Sequence, residues 1–394
     1  MHLAGKPAFR STILHLSPDL EPGAPAREAV DLAVLTQRAG WRALIASAGG
    51  ALVTEAERAA VRHIRLPLNG RGLFANWRSA RGVAHLVQSE RPLLIHAHDI
   101  EAVAAALHSA QTQNVPLVAD LSSPLEDKPR NRRILKKLEK VTAAVRVPTE
   151  FMAQNLQDQF KWPSSRLQVI PPGVDLQWSN PGAIGPDRLQ NLTRLWRLPE
   201  QAAVILMPMP FTPGGGHERL LEALAQLKRN DVYAVLVGDN RPVRGVRDEI
   251  EQLIDELKLG GKVVLPDCCM DWPAACWLAT AVVAPNIAPR GFAHELLVAQ
   301  SLGRPVIISD CGANREMAES GVTAWVVPPD DSAALANALN EIIRLPTSRR
   351  IELSQRAIDF IAEVFPQAAW FNGMMDLYDS ITLPVAARKQ AAAA

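Results

Sequence analysis

Three consecutive glycines stand directly before a segment whose apolar spacing predicts a helix: Gly214, Gly215 and Gly216. Glycines allow backbone N–H groups to close on a phosphate at the N-terminus of a helix, where the helix dipole favours negative charge. His217, Arg219 and Arg290 could add positive charge to such a site. The run therefore predicts phosphate binding, although it is also compatible with a short loop that has no ligand.

A second candidate group is His98, which lies in the run His-Ala-His-Asp after a predicted strand. An imidazole at the end of a strand can contact a substrate, and His98 is the candidate catalytic residue on this ground. It can as well be a hydrogen-bonded structural group. The sequence leaves both interpretations open.

These groups need a scaffold, and the sequence predicts a doubly wound α/β protein. Short apolar runs alternate with longer amphipathic ones along the whole chain, which is typical of βαβ units and parallel sheets. The pattern restarts near residue 200, and 394 residues exceed what one hydrophobic core usually serves. We therefore expect two parallel-sheet domains.

The domain limits follow from a proline-rich break after Ile170, where neither helix nor sheet can continue. We predict an N-terminal domain at residues 1–175, a linker at 176–197, a C-terminal domain at 198–365, and a final helix with its tail at 366–394. The final helix has no sheet partner of its own, so we expect it to pack back on the N-terminal domain. The carboxyl ends of the two sheets are expected to face each other across a cleft that holds the site.

Composition excludes several classes of protein. The formal net charge is +1, so no basic footprint supports nucleic-acid binding. The four cysteines form no C-x-x-C pair of the zinc-binding kind, and no uncharged apolar run reaches membrane-spanning length. The N-terminus has no apolar core for a signal peptide, so we expect a cytoplasmic protein.

Several motifs have the order and spacing of one known family. They are Pro171-Pro172-Gly173-Val174-Asp175, Gly303-Arg304-Pro305-Val306-Ile307, Asp310-Cys311-Gly312, Glu316, Gly321 and Val327-Pro328-Pro329-Asp330. His15-Leu16-Ser17-Pro18-Asp19 and Ile95-His96-Ala97-His98-Asp99 add to them in the first domain. With these motifs the chain resembles the family 4 glycosyltransferases of the GT-B fold.

The resemblance implies a GT-B fold with two Rossmann-like domains facing across a cleft. It also implies transfer of a sugar from a nucleotide diphosphate sugar to an acceptor, usually with retained anomeric configuration, with no bound metal and no cofactor. The expected acceptor is a lipid-linked or polysaccharide intermediate of a bacterial-type envelope. Because a fold does not fix a function, each site position has to be compared by itself.

Several residues that the family uses to hold its donor are replaced. The Arg and the Lys of the family's loop correspond to Pro210 and Gly215, and its two Glu residues correspond to Arg290 and Val298. Glu295, one helical turn before Val298, is a candidate substitute. Loss of two charged hydrogen bonds would remove about 3 to 6 kcal/mol of transition-state stabilisation from a departing diphosphate.

On the acceptor side, the resemblance indicates a loop before the first helix with Pro22, Gly23 and Arg27. Alanine and proline stand there beside a single glycine, which makes close approach of the backbone to a phosphate less favourable. Ser122 replaces the histidine that the family has after a strand of the first domain.

Two functions of different classes follow from these observations. The first is a glycosyltransferase that uses a nucleotide sugar. The second is a catalytically silent GT-B protein that binds or scaffolds active transferases, which the replaced donor positions favour. A sugar-phosphate-processing enzyme of the epimerase or phosphorylase type is a third hypothesis, but no acid and base groups for it can be located in the sequence.

One predicted helix of the first domain is strongly basic. Its cations include Arg130, Arg133, Lys136, Lys137 and Lys140. Each cation near an anionic membrane can contribute about 1 kcal/mol to binding. The segment predicts peripheral contact with the inner face of the cytoplasmic membrane, against the alternative of a solvated helix balanced by neighbouring acidic residues.

Overall fold

The computed structural model describes residues 11–70, 72–238 and 245–393. The chain divides into two compact units, and the first is discontinuous in sequence. Unit 1 comprises Met1–Ile170 and Phe371–Ala394, and unit 2 comprises Pro171–Trp370. The N-terminal residues, on which the expectation of no signal peptide rests, lie outside the described residues.

Unit 1 contains a seven-stranded parallel sheet. Its strands are β1 (Thr12–Leu16), β2 (Arg42–Ser47), β3 (Arg62–Arg65), β4 (Leu94–His98), β5 (Leu117–Asp120), β6 (Thr142–Val147) and β7 (Leu167–Val169). The strand order is β3-β2-β1-β4-β5-β6-β7. The connecting helices are α1 (Ala24–Arg38), α2 (Val53–Arg58), α3 (Leu73–Glu90), α4 (Ile100–Thr112), α5 (Pro129–Val141) and α6 (Glu150–Phe160). Since parallel strands are covered on both faces, β4 and β5 are buried along their whole length.

Unit 2 contains a six-stranded parallel sheet. Its strands are β8 (Ala203–Pro208), β9 (Val232–Val237), β10 (Val263–Val264), β11 (Ala281–Ala284), β12 (Val306–Ser309) and β13 (Ala324–Val327), in the order β10-β9-β8-β11-β12-β13. Its helices are α7 (Pro186–Leu195), α8 (His217–Leu227), α9 (Val246–Glu256), α10 (Trp272–Leu278), α11 (His294–Ser301), α12 (Ser332–Ile343) and α13 (Thr347–Val364). The last helix, α14 (Gln367–Ala393), begins in unit 2 and continues in unit 1.

The predicted fold class, α/β with two doubly wound parallel sheets, is confirmed. In each sheet the order of strands reverses beside the first strand, between β1 and β4 in unit 1 and between β8 and β11 in unit 2. Such switch points open a crevice at the carboxyl ends of the strands, where open α/β sheets bind ligands. The residues that follow the strands at these two switch points are therefore candidates for the functional site.

The segment expected to be a linker, residues 176–197, is part of unit 2 in the structure. It contains α7, and Ile184, Leu192 and Trp196 are buried in the apolar core of that unit. The prolines and polar residues of the segment resemble those of a linker because they begin and end short helices. The final helix does lie in unit 1 from Phe371 onward, where the Tyr378 hydroxyl is 2.6 Å from Nδ1 of His96.

The glycine run before α8 forms a tight turn that packs against the segment after β11. Gly214 and Gly216 have φ values of 75° and 84°, in the left-handed region that favours glycine. A Cβ added to Gly216 would overlap the carbonyl oxygen of Pro285. The carbonyl oxygen of Gly214 accepts hydrogen bonds from the backbone N–H groups of Ile287 (3.0 Å) and Ala288 (3.1 Å). We refer to residues 212–216 as the glycine turn.

Gly216→Ala should lower the free energy of unfolding by about 2 kcal/mol or more, because it combines an unfavourable φ with a steric overlap. Gly260→Ala is the matched control in the same unit, since its added Cβ meets no atom within 4 Å. That control should change stability by less than about 1 kcal/mol. Urea unfolding followed by tryptophan fluorescence measures both variants. Equal stabilities would contradict the close packing of the glycine turn.

Candidate functional site

A small hollow lies at the carboxyl ends of β4 and β5 in unit 1. It is lined by Pro25, Glu28, His98, Asp99, Ser122 and Ser123. Five of these six residues have polar side chains, so the hollow offers hydrogen-bonding groups to whatever approaches it. We call it the unit 1 hollow.

The register of the sheet explains why polar groups meet beside this hollow. His98 of β4 is paired with Asp120 of β5, and Asp120 is paired with Arg146 of β6. Residues paired across parallel strands point to the same face of a sheet, so the three side chains form one row. Ser122 follows the row, and its hydroxyl donates a hydrogen bond to Oδ1 of Asp120 at 2.9 Å.

A buried ion cluster lies at the centre of this row. Nη1 of Arg146 donates hydrogen bonds to Oε2 of Glu28 at 2.7 Å and to Oδ2 of Asp120 at 2.8 Å. The Nε of Arg146 donates to the backbone carbonyl of Ile170 at 2.7 Å. Arg146 is fully buried, and both carboxylates are almost so. One guanidinium is thus shared by two carboxylates in a place that water does not reach, which makes each of the three groups dependent on the others.

Glu28 is the group of this cluster that reaches the unit 1 hollow. The pKa of Glu28 is raised from 4.5 to about 7, chiefly by burial, with Arg146 acting to lower it and the neighbouring Asp120 acting to raise it. Its second oxygen, Oε1, has no hydrogen-bond partner among the described residues. A carboxyl group that titrates near neutral pH can either donate or accept a hydrogen bond there. Glu28 is therefore suited to hold a ligand hydroxyl.

His98 is buried and neutral. Burial lowers the pKa of His98 to about 4, and Arg146 lowers it as well, although Asp120 acts in the opposite direction. Nε2 of His98 lies 3.2 Å from Nδ1 of His15. A base with so low a pKa is far from the operating range of a general base at neutral pH. The chemistry open to His98 is hydrogen bonding and orientation, not proton abstraction.

The structure brings Ser122, predicted on the acceptor side, together with His98, the candidate catalytic residue, in the hollow. Pro22, Gly23 and Arg27 do not line it. Arg27 instead forms ion pairs with Asp31 at 3.1 Å and with Glu55. This arginine is thus neutralised within the fold.

Sequence analysis missed the roles of Glu28, Asp99 and Arg146. A signal for Arg146 is present, because a charged residue inside the apolar strand β6 must have a buried partner. Asp99 has a φ of 91°, which is unfavourable for a residue with a side chain, and its carboxylate accepts a hydrogen bond from the N–H of Ile100 at the start of α4. No feature of the sequence singles out Glu28 among the other charged residues of α1.

In unit 2, the glycine turn and Arg290 form a second candidate site. Nη2 of Arg290 donates hydrogen bonds to the Thr212 hydroxyl and, at 3.3 Å, to the carbonyl of Pro213. No described residue forms an ion pair with Arg290, and burial lowers its pKa. The first N–H groups of α8 have no partner within the helix. A cation without a counter-ion and a helix N-terminus thus meet at the glycine turn.

The other predicted cations of this site are not free. The Arg219 guanidinium pairs with Glu222 at 2.6 Å and with Asp330 at 3.0 Å. His217 donates from Nε2 to the carbonyl of Met209 at 3.2 Å, and burial lowers its pKa to about 4, so that it is neutral. Arg290 is thus the one cation, among the three that the sequence proposed, whose charge remains available.

Gly215 takes part in the glycine turn, where its N–H donates to the Thr212 carbonyl at 3.2 Å. Glu295 lies in the first turn of α11, and burial raises its pKa to about 7. Val298 is fully buried in the apolar core of unit 2. A hydroxyl of a ribose would find no hydrogen-bond partner in its side chain.

Two family models match the chain, one in each half. The model described as Glycosyltransferase Family 4 matches residues 26–178, and the model described as Glycosyl transferases group 1 matches residues 203–344. The first range includes Glu28 and His98, and the second includes the glycine turn. The chain belongs to the family 4 glycosyltransferases, whose GT-B fold has the two Rossmann-like domains seen here.

Similar proteins of known name match parts of the chain. A D-inositol 3-phosphate glycosyltransferase of Frankia alni is 29% identical over 201 residues, which cover 49% of this chain and 48% of that protein. A phosphatidyl-myo-inositol mannosyltransferase of Mycobacterium leprae is 30% identical over 167 residues, which cover 42% and 43%. This chain thus spans about half the length of the curated relatives it matches.

Solved structures match almost the whole chain at lower identity. The structure of Anabaena HepE in complex with UDP and glucose has a TM-score of 0.82 and 22% identity, covering 94% of this chain and all of that one. A glycosyltransferase from Rickettsia africae has a TM-score of 0.80 and the same identity, covering 94% and 98%. These likenesses support the GT-B fold.

Replacing Glu28 by glutamine should reveal the raised pKa. An acid whose pKa is raised on folding contributes stability below its ordinary pKa and loses it as the pH rises from 4.5 towards about 7. Glu28→Gln cannot ionise, so its free energy of unfolding relative to the unmodified protein should increase between about pH 5 and about pH 8. The expected increase is on the order of 2 kcal/mol.

Urea unfolding at the two pH values measures this difference. Glu139→Gln, at an exposed position of α5, is the control and should show no comparable trend. The opposite trend would be a free energy of unfolding of Glu28→Gln that falls, relative to the unmodified protein, between about pH 5 and about pH 8. It would mean that the attraction of Arg146 outweighs burial and keeps Glu28 ionised.

Proposed function

We propose that this chain is an active glycosyltransferase that moves a sugar from a nucleotide diphosphate sugar to a hydroxyl group of an acceptor. Membership of the family supports this proposal in general terms. The observation that carries it is Arg290, which is tied to the glycine turn by hydrogen bonds to Thr212 and Pro213 and has no counter-ion among the described residues. A partly buried cation of this kind is well placed to bind an anion.

The donor would bind with its diphosphate at the glycine turn. As the bond to the sugar breaks, negative charge develops on the diphosphate, and fixed positive groups that are already oriented stabilise it best. The N-terminus of α8 supplies backbone N–H groups and the positive end of a helix dipole. Arg290 supplies a full charge. In this proposal Arg290 takes over the task of the Arg and Lys that the family has where this chain has Pro210 and Gly215.

The acceptor would bind in the unit 1 hollow. Glu28 and His98 present hydrogen-bonding groups there, and Ser122 and Ser123 present hydroxyls. Such a lining fits a sugar or another polyol, because each ligand hydroxyl can donate one hydrogen bond and accept others. The names of both curated relatives contain an inositol, which is a polyol. A glycan or a lipid-linked acceptor with one exposed polyol ring is the proposed class, with retention of anomeric configuration and no cofactor expected from the family.

A silent binding protein is the second candidate. Val298 favours it, because a fully buried valine at the family's ribose-binding position removes one contact to a donor nucleotide. Loss of one charged or neutral hydrogen bond costs about 1 to 3 kcal/mol. This weakens donor binding without excluding it, so the two candidates differ in whether a nucleotide binds at all.

We further propose that α5 contacts an anionic membrane, which would place the protein peripherally at the inner face of the cytoplasmic membrane. The five basic residues predicted from sequence are all exposed on this helix, while its apolar residues Ile134, Leu135 and Leu138 face the core. Arg130 pairs with Glu101 at 3.1 Å. No described residue forms an ion pair with the other four. None of the described helices is long and apolar enough to cross a membrane.

Nucleotide binding tests the first proposal. The melting temperature should rise with one nucleoside diphosphate in a panel of UDP, GDP and ADP, since binding to the native state adds about 2.7 kcal/mol at a hundredfold excess over the dissociation constant. Arg290→Ala should reduce the shift strongly. Arg229→Ala is the matched control, because Arg229 pairs with Asp231 at the amino end of β9, and it should leave the shift unchanged.

The same panel separates the two candidates. If no nucleotide raises the melting temperature of the unmodified protein, donor binding is refuted and the silent protein is favoured. If a nucleotide binds, release of sugar from the corresponding nucleotide sugar, followed by mass spectrometry with polyol acceptors, should give a transferred product that Glu28→Gln diminishes.

Liposome sedimentation tests the membrane proposal. The protein should sediment with vesicles that contain anionic lipid and stay in solution with neutral ones, and 1 M salt should release it. Replacement of Lys136, Lys137 and Lys140 by glutamine should reduce sedimentation. As a control, the same replacement at Lys258 and Lys262 of unit 2 should have no effect. Equal sedimentation with neutral vesicles would refute an electrostatic contact.

A further inference from the structure

Three histidines meet in the interior of unit 1, behind the hollow. His15 of β1 is paired in register with His96 of β4, and His98 follows two residues later, on the same face of the sheet. All three side chains are buried. One ring nitrogen from each lies within 4.8 Å of the other two. Neutral imidazole nitrogens are common ligands of divalent transition metals.

The spacing of two nitrogens already fits a shared cation. Nδ1 of His15 and Nε2 of His98 are 3.2 Å apart. Two ligands at about 2.0 to 2.1 Å from a tetrahedral zinc ion lie about 3.3 to 3.4 Å from each other. A cation could therefore be held by both nitrogens with a shift of a few tenths of an ångström, in place of the proton they now share.

The surroundings of His96 provide an independent reason for a cation. Its Nδ1 is 2.6 Å from the Tyr378 hydroxyl, a contact that fixes the ring in one orientation. Its Nε2 is buried without a hydrogen-bond partner among the described residues and lies 3.7 Å from Oδ2 of Asp120. Metal-bound imidazoles commonly bond through their second nitrogen to another group in this way, which aims the first nitrogen at the metal. The unsatisfied nitrogen and the carboxylate would both gain from a cation beside them.

The charges in this region also admit a cation. Asp120 faces both His96 and His98, at 3.7 and 3.8 Å, and Glu28 adds a second carboxyl group. Arg146 opposes a cation, because it is itself positive and contacts both carboxylates. Above about pH 7, where Glu28 is ionised, two carboxylates stand against the one guanidinium of Arg146. A divalent ion would then change the total charge from −1 to +1, at no greater magnitude.

We propose that His15, His96 and His98 form a binding site for a divalent transition metal of the zinc type, with Asp120 beside them as the balancing carboxylate. The ion would connect β1 to β4 and, through Tyr378 on His96, to α14. Exchange with solvent would pass through the unit 1 hollow, which His98 lines. The three histidines belong to unit 1 and the glycine turn belongs to unit 2, so the proposed metal site uses none of the residues of the proposed donor site.

The test is direct metal binding by the full chain. Protein freed of metal with a chelator should bind one equivalent of Zn²⁺ in competition with a chromophoric chelator. One equivalent of Co²⁺ should give the visible absorption of a four-coordinate ion with nitrogen and oxygen ligands. The melting temperature should rise with Zn²⁺, since the ion binds the folded state.

Variants then locate the site. His15→Gln and His98→Gln should each abolish stoichiometric binding and the Co²⁺ absorption. Tyr378→Phe, which removes a single hydroxyl, should weaken binding about 10- to 100-fold, as expected for a group that orients a ligand. His85→Gln and His108→Gln, at exposed positions of α3 and α4, are the controls and should bind as the unmodified protein does.

Two outcomes would overturn the proposal. If the unmodified protein binds no equivalent of either ion, the histidines are a hydrogen-bonded cluster alone, whatever the variants do. If binding persists in His15→Gln and His98→Gln, with circular dichroism showing that both fold, the ion is held elsewhere. The four cysteines would then be the first groups to examine.

Discussion

A single guanidinium inside unit 1 determines where its polar groups can lie. Arg146 is fully buried on β6 of a parallel sheet, and an unpaired charge there would cost several kcal/mol. It is matched by Asp120 from the next strand and by Glu28 from the first helix. These contacts fix α1 against β5 and β6. They also hold Glu28 at the edge of the hollow, with one oxygen engaged and the other unused. The proposed acceptor site thus depends on a charge that no ligand would touch.

Much of this architecture could be predicted from the sequence. Alternating apolar and amphipathic runs predict two parallel sheets, and the structure contains both. The alternation also shows that His96 and His98 share one face of a strand. The rest depends on pairing between distant strands. Glu28 and Arg146 are 118 residues apart, and His96 and Tyr378 are 282 residues apart. Nothing in a single sequence indicates which helix covers which row of the sheet. The sequence therefore predicts that a buried charge has a partner, but it does not identify the partner.

The glycine turn shows a different limit of sequence patterns. Its three glycines suggest a phosphate site, and the helix N-terminus and Arg290 are indeed beside them. The structure shows that these glycines are also needed for packing. The turn packs on the backbone after β11, where a side chain on Gly216 has no room. The same three glycines thus allow close packing and are compatible with ligand binding. Similarly, Arg219 and Arg290 are alike in sequence. They differ in whether a carboxylate neutralises them, and this depends on the positions of Glu222 and Asp330.

The path of the chain through the two units has a consequence for synthesis. Unit 2 is an insertion within unit 1, and its two ends are joined: the N–H of Val174 donates to the carbonyl of Phe365 at 2.9 Å, and the N–H of Gln367 donates to the carbonyl of Val174 at 3.3 Å. On the ribosome, the sheet of unit 1 emerges long before Tyr378. Its histidines therefore remain without their tyrosine until nearly the whole chain has been made. Domains generally fold as units in the order of their synthesis. Unit 1 would therefore begin to fold first and finish last. It could add the final helix only after unit 2 has been synthesised.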